Sequence, residues 1–166
     1  YAATGSINGL GNEANTITDA SITVAQANTL AAQTTGVVTA TISDGDMTTL
    51  AGITETTNNL AIAVTDSTIS ATALSALDAK TTGTLSVSAT STLTGSVAEL
   101  TAALDAATIT GVGAMKVSIT GGSVSIADAN TIAGKTSGAV TATITETDLA
   151  SLVSLETGNS WITTVS

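Results

Sequence analysis

Cysteine, proline, phenylalanine, histidine and arginine are all missing from the 166 residues, and the only other aromatics are Tyr1 and Trp161. Without cysteine no disulfide staples the fold, which suits a reducing cytosol and equally a bacterial secreted protein that does without them. Without histidine or cysteine no transition-metal site is expected. The lack of phenylalanine leaves Ala, Val, Ile and Leu to build the core, which favours narrow, regular layers over a bulky, deep-pocketed centre. No proline-rich or charge-rich stretch marks a linker, so a single domain over 1–166 is expected. Cations are scarce too: 3 lysines stand against 13 acidic residues, for a net charge of −10. Such a surface suits neither nucleic acid nor an anionic membrane, whose capture depends on Lys or Arg. No basic leader and no long apolar run occur, so neither a signal peptide nor a membrane span is expected within this sequence.

What is present is a repeat. Sliding the chain by 102 positions, from Gly9 to Gly111, places Ser21 on Ser123, Asn28 on Asn130 and Gly36 on Gly138. The run Thr39-Ala40-Thr41-Ile42 falls on Thr141-Ala142-Thr143-Ile144 letter for letter. A middle copy begins 47 positions on, from Asp19 to Asp66, and carries Ile69, Leu77 and Thr82-Gly83. A further 55 positions, from Lys80 to Lys135, lead to the last copy, and the eight extra residues are assigned to 90–109. Three units of roughly 50 residues result, over 7–55, 56–110 and 111–166, without distinctive caps.

Two patterns alternate within each unit. Val37–Ile42, Thr84–Ala89 and Ala139–Ile144 alternate apolar and hydroxyl residues, the mark of a half-buried strand. Leu60–Thr65 and Met115–Thr120 read likewise, with Asn15–Thr18 and Trp161–Val165 as weaker members. Between them Ile22, Ala27 and Leu30 recur as Ile69, Leu74 and Leu77, and as Val124, Ala129 and Ile132, with helical spacing. Each such stretch stops at Gly36, Gly83 or Gly138, expected to take positive φ just beyond a helix end. A second helix carries Met47, Leu50 and Ile53 behind Asp44 or Asp46, and recurs as Leu149, Leu152 and Leu155 behind Thr145 or Thr147. Ser96 precedes its middle counterpart, with Val97, Leu100 and Leu104. The fold class expected is α/β: a strand-helix solenoid whose seven strands form one parallel sheet with right-handed crossovers. An all-β solenoid is the alternative.

Candidate functional residues are few. Thr39, Thr41, Ser86, Ser88, Thr141 and Thr143 align by their glycines and are expected on one outward sheet face, opposite Val38, Ala40 and Ile42. Thr16/Thr18, Ala63/Thr65 and Ser118/Thr120 repeat the theme. A solvated face explains them, because Thr suits strands; a hydroxyl array that meets ice or a glycan is the sharper reading. Asp44 and Asp46 are the candidate calcium ligands, since hard cations want clustered oxygens, although a turn or helix-cap role is preferred. No other cofactor is expected. Gly9-Leu10-Gly11 superficially fits a dinucleotide loop, but a strand-like segment follows it where a helix is required. Lys80 and Lys135 stand near helix ends, where a cation meets the negative dipole. No catalytic constellation stands out, and no enzyme activity is expected.

The phrases Ser21–Leu30, Thr34–Ile42 and Leu74–Gly83 resemble tandem repeats in large secreted, adhesin-like surface proteins of cyanobacteria and other marine bacteria. The resemblance implies an extracellular or cell-surface location and a structural or adhesive role, and it transfers no functional residue. End-to-end self-association or contact with neighbouring repeats is therefore the expected partnership, with a glycan or ice surface as the alternative.

Overall fold

Alternating segments become strands and the alanine-rich stretches become helices in the computed structural model, which describes residues 11–18, 20–88 and 91–165. The order is β1 (Asn15–Thr16), α1 (Val24–Ala31), β2 (Val38–Thr41), α2 (Met47–Leu50), β3 (Asn59–Val64), β4 (Thr68–Ser70) and α3 (Ala71–Asp78). It continues with β5 (Leu85–Val87), β6 (Thr92–Gly95), α4 (Val97–Leu104), β7 (Ile109–Thr110), a 3-10 turn at Val112–Ala114 and β8 (Lys116–Ile119). The chain then passes through α5 (Ile126–Ala133), β9 (Val140–Thr143) and α6 (Leu149–Leu152) to β10 (Ser160–Ile162). The fold is α/β, and the all-β alternative fails because the alanine-rich stretches form helices.

Two parallel five-stranded sheets replace the single sheet expected. One runs β1-β2-β3-β5-β7 and the other β10-β9-β8-β6-β4. Parallel neighbours need a long crossover, and helices supply it: Asn15 pairs with Val38 across α1, and Ile62 with Leu85 across α3. β4, β6 and β7 went unread in the sequence because they are short and merge with a cap or a loop. β3 holds the first sheet together, its first half pairing with β2 and its second half with β5.

Each helix starts on a side chain that accepts an N–H three residues on. The caps are Thr23, Asp46, Ser70, Ser96, Ser125 and Asp148. Asp148, at the counterpart of Asp46, caps α6, so Thr145 and Thr147 do not. The 102-residue shift holds element by element: α1 maps onto α5, β2 onto β9, α2 onto α6, and the Ile22–Ile42 bridge onto Val124–Ile144. It slips to 101 at the last strand, where Asn58 accepts from Val38 and Asn159 from Val140, both at 2.8 Å. Gly158, at φ +84°, makes the tighter turn there. The extra residues of the middle copy precede and lengthen α4, which has 8 residues where α2 and α6 have 4. Three precede Ser96 and five follow it, and the 3-10 turn lies beyond the stretch 90–109 assigned to them.

Gly36, Gly83 and Gly138 lie after the helices but are not in the left-handed region. Their role is close approach instead. A Cβ on Gly36 would strike Glu13 backbone, on Gly83 Leu60 backbone, and on Gly138 Met115 backbone. Thr34, Thr81 and Thr136 fasten the same contact, accepting from the glycine N–H at 2.9, 2.9 and 3.0 Å. Their hydroxyls donate to the Glu13, Leu60 and Met115 carbonyls at 2.7, 2.8 and 2.7 Å. One apolar core runs through both sheets, filled by small aliphatic groups with Leu50, Leu74, Leu85, Leu93, Leu100, Met115 and Ile132 sealed from solvent.

Candidate functional site

The carboxylates singled out in the sequence are directed to helix N-termini. There free N–H groups and the dipole favour negative charge. Asp44 Oδ2 accepts from the Val24 amide of α1 at 2.7 Å, reaching back from beyond β2 within the same unit. Asp46 Oδ1 accepts from Thr49 at 2.9 Å and caps its own helix, α2. Asp66 Oδ2 takes the Met47 amide at 2.8 Å. Glu146 does for α5 what Asp44 does for α1, at 3.2 and 3.3 Å from Ile126. The two calcium candidates thus serve different helices, and among the described residues no third acidic group joins them in a cluster. Thr49, chiefly through its backbone N–H, holds the Asp46 carboxyl below its ordinary pKa. The Ser151 hydroxyl, followed by its backbone N–H, lowers Asp148. For Glu99 the Ser96 amide is the first cause and the Thr72 hydroxyl the second.

Hydroxyl positions alternate with the core as expected: Val38, Ala40, Ile42, Val140, Ala142 and Ile144 are buried, while Thr39, Thr41, Thr141 and Thr143 reach the surface. Ser86 and Ser88 do the same beside Leu85 and Val87, and Ala89 lies outside the described residues. The candidates do not share one sheet, however. Thr39, Thr41 and Ser86 lie on the first sheet and Thr141 and Thr143 on the second. The reason is the insertion around α4 and β7, which makes the last copy pair with β6 through β8 instead of extending β7.

That shift builds a row the sequence did not disclose. Ser70 pairs with Thr94, Thr94 with Ser118, Ser118 with Thr141, and Thr141 with Ser160. Hydroxyl side chains therefore stand in register across all five strands of the second sheet, with Thr68, Thr92 and Lys116 in a shorter row two residues away. The Thr94 hydroxyl already donates to the Ile69 carbonyl at 3.3 Å. Only the register reveals the row, because its members come from positions that do not align by repeat.

The lysines act between units. Lys80 Nζ donates to the Ala51 and Ile53 carbonyls behind α2, at 2.7 Å each, in place of its own helix end. Lys135 pairs with Asp105 at 2.6 Å, an exposed contact of small weight. Asn28 and Asn130 are staples that sequence reasoning passed over, although their match was visible. Asn28 donates to Gly52 and accepts from Thr54, and Asn130 donates to Ser154 and accepts from Glu156. The glycine pair at 9 and 11 is only partly described, whereas its counterpart Gly111 takes φ +86° and leads through the 3-10 turn into β8. No helix opens there to receive a pyrophosphate. Among the described residues no helix is long and apolar enough to cross a membrane. Asp19, counterpart of Asp66, lies outside them. Comparison with protein families, with curated proteins and with solved structures finds no match to this chain.

Proposed function

We propose that this chain is a non-enzymatic structural segment of an extracellular surface protein or filament, a strand-helix solenoid made to be continued by further units. One observation carries the reading: the C-terminal end is unsealed. Leu149, Val153, Ile162 and Val165 are 66, 77, 57 and 60 % exposed, and α6 buries none of its residues. Large apolar side chains left exposed in one part of a fold mark an interaction site. The edge strand β10 adds unpaired backbone groups to it. The acidic, cation-poor surface keeps the sides apart and leaves the ends as the adhesive parts. Static light scattering over a concentration series tests the reading. Mass is expected to rise with concentration, and a single monomeric mass throughout would contradict it.

The in-register row Ser70–Thr94–Ser118–Thr141–Ser160 favours a second reading, a hydroxyl face that binds a glycan or ice. Glycan-array and thermal-hysteresis measurements on the variant Thr94→Val, Ser118→Ala, Thr141→Val test it. Loss of a wild-type signal is expected; a signal unchanged by the substitutions removes that face.

A further inference from the structure

The two ends of the molecule carry the two sides of a junction that the chain also makes internally. Inside the chain α3 seats on α2. The Lys80 ammonium reaches the Ala51 and Ile53 carbonyls, and Asp66 accepts from Met47. At that junction Leu50, Ile53 and Leu60 are 0, 2 and 1 % exposed. The receiving side recurs at the C-terminal end, where Leu152 and Leu155 hold the places of Leu50 and Ile53, and Trp161 that of Leu60. Those three are only half-buried, and Leu149, in the place of Met47, lies open.

The seating side recurs at the N-terminal end. Gln26, Leu30 and Gln33 hold the places of Ala73, Leu77 and Lys80, and with Ile17 and Ile22 they line an open groove. We propose that a second copy of this chain covers the C-terminal end, seating its α1 on α6 as α3 seats on α2. This rests on the structural reading above and adds a polarity to it. The two surfaces differ, so the contact is heterologous and propagates into a filament instead of closing as a symmetric dimer. Gln33 of the incoming copy then faces the Val153 and Leu155 carbonyls, where the internal junction has an ammonium. Gly11–Ala14 of the incoming copy and Asn159–Ile162 of the receiving copy hold equivalent places, and one of these segments is displaced on seating.

Sedimentation velocity of variants tests the seating. Gln33→Lys restores the internal cation and is expected to tighten association about tenfold, as a charge-assisted hydrogen bond does. Ala107→Lys makes the same charge change at an exposed site away from both ends and is expected to leave association unaltered. Leu149→Asp blocks the receiving side at an exposed position that tolerates an acid in a first helical turn, and Gln33→Glu blocks the seating side. Each alone is expected to stay monomeric, and an equimolar mixture is expected to give one-to-one heterodimers through the remaining intact pair of surfaces. Wild-type association that persists in Leu149→Asp, or a mixture that stays monomeric, overturns the seating while leaving the structural reading in place. Wild-type chain that is monomeric at every concentration overturns both.

Discussion

Two glycines four residues apart in the last copy answer to different constraints. Gly138 has no room for a Cβ, because Met115 backbone stands where it would go. Gly134 is the C-cap of α5 at φ −68°, with its nearest atoms at 3.5 Å, and the equivalent caps Ala32 and Ala79 already carry a methyl group. Gly138→Ala is therefore expected to destabilise the protein by about 1–3 kcal/mol, the usual cost of overpacking. Gly134→Ala is expected to stabilise it by roughly 0.4–1 kcal/mol, through the unfolded chain. Urea midpoints of the two variants check this, and equal shifts would refute the distinction. The sequence showed that Gly36, Gly83 and Gly138 recur but suggested the wrong reason. A recurring glycine after a helix reads as a positive-φ stop, and only the neighbouring unit shows that the constraint is contact across the stack.

At the scale of elements, helices this short depend on their caps, because an isolated turn pays nucleation for few hydrogen bonds. Asp46, Glu99 and Asp148 have carboxyls held below their ordinary pKa by the N–H and hydroxyl groups they accept from. A depressed folded-state value means that their contribution is complete above the unfolded-state range, near pH 4, and disappears as pH falls through the lower folded-state value. Stability is thus expected to be flat above about pH 5 and to decline below about pH 4. The triple variant Asp46→Asn, Glu99→Gln, Asp148→Asn keeps side chains that can cap and is expected to lose part of that decline. Chemical unfolding at a series of pH values reads it, and parallel curves for the variant and the wild type would contradict the assignment. Existence and type of these helices were legible from the spacing of Leu50 and Ile53 or Leu74 and Leu77. The cap of α6 was not, since Thr145, Thr147 and Asp148 are all competent capping residues and only the backbone chooses among them.

For the whole molecule, periodicity announced the repeated strand-helix order, and the element-by-element 102-residue match agrees with it. What it did not announce is the division into two sheets. That depends on the residues inserted around α4 and β7, which change strand pairing without changing the repeat pattern of the last copy. The hydroxyl candidates were separated for the same reason, and the Ser70–Ser160 row became visible only through register. Asp44 and Asp46 looked like cation ligands because a clustered pair of carboxylates suits a cation and a helix end alike; their N–H partners, Val24 and Thr49, belong to different helices. The same internal likeness gives the ends their meaning: a buried junction in the middle supplies the template for what an uncovered terminus receives.

A chain without cysteine permits a clean measurement of that idea. Gln33→Cys and Val153→Cys are made as separate proteins, mixed and treated with a short bis-maleimide. Head-to-tail stacking predicts that the crosslinked product joins one of each, in clear excess over either homodimer, because Gln33 of one copy meets Val153 of the next. Homodimers in equal yield, or no crosslinked product at a concentration where the chain associates, would contradict it.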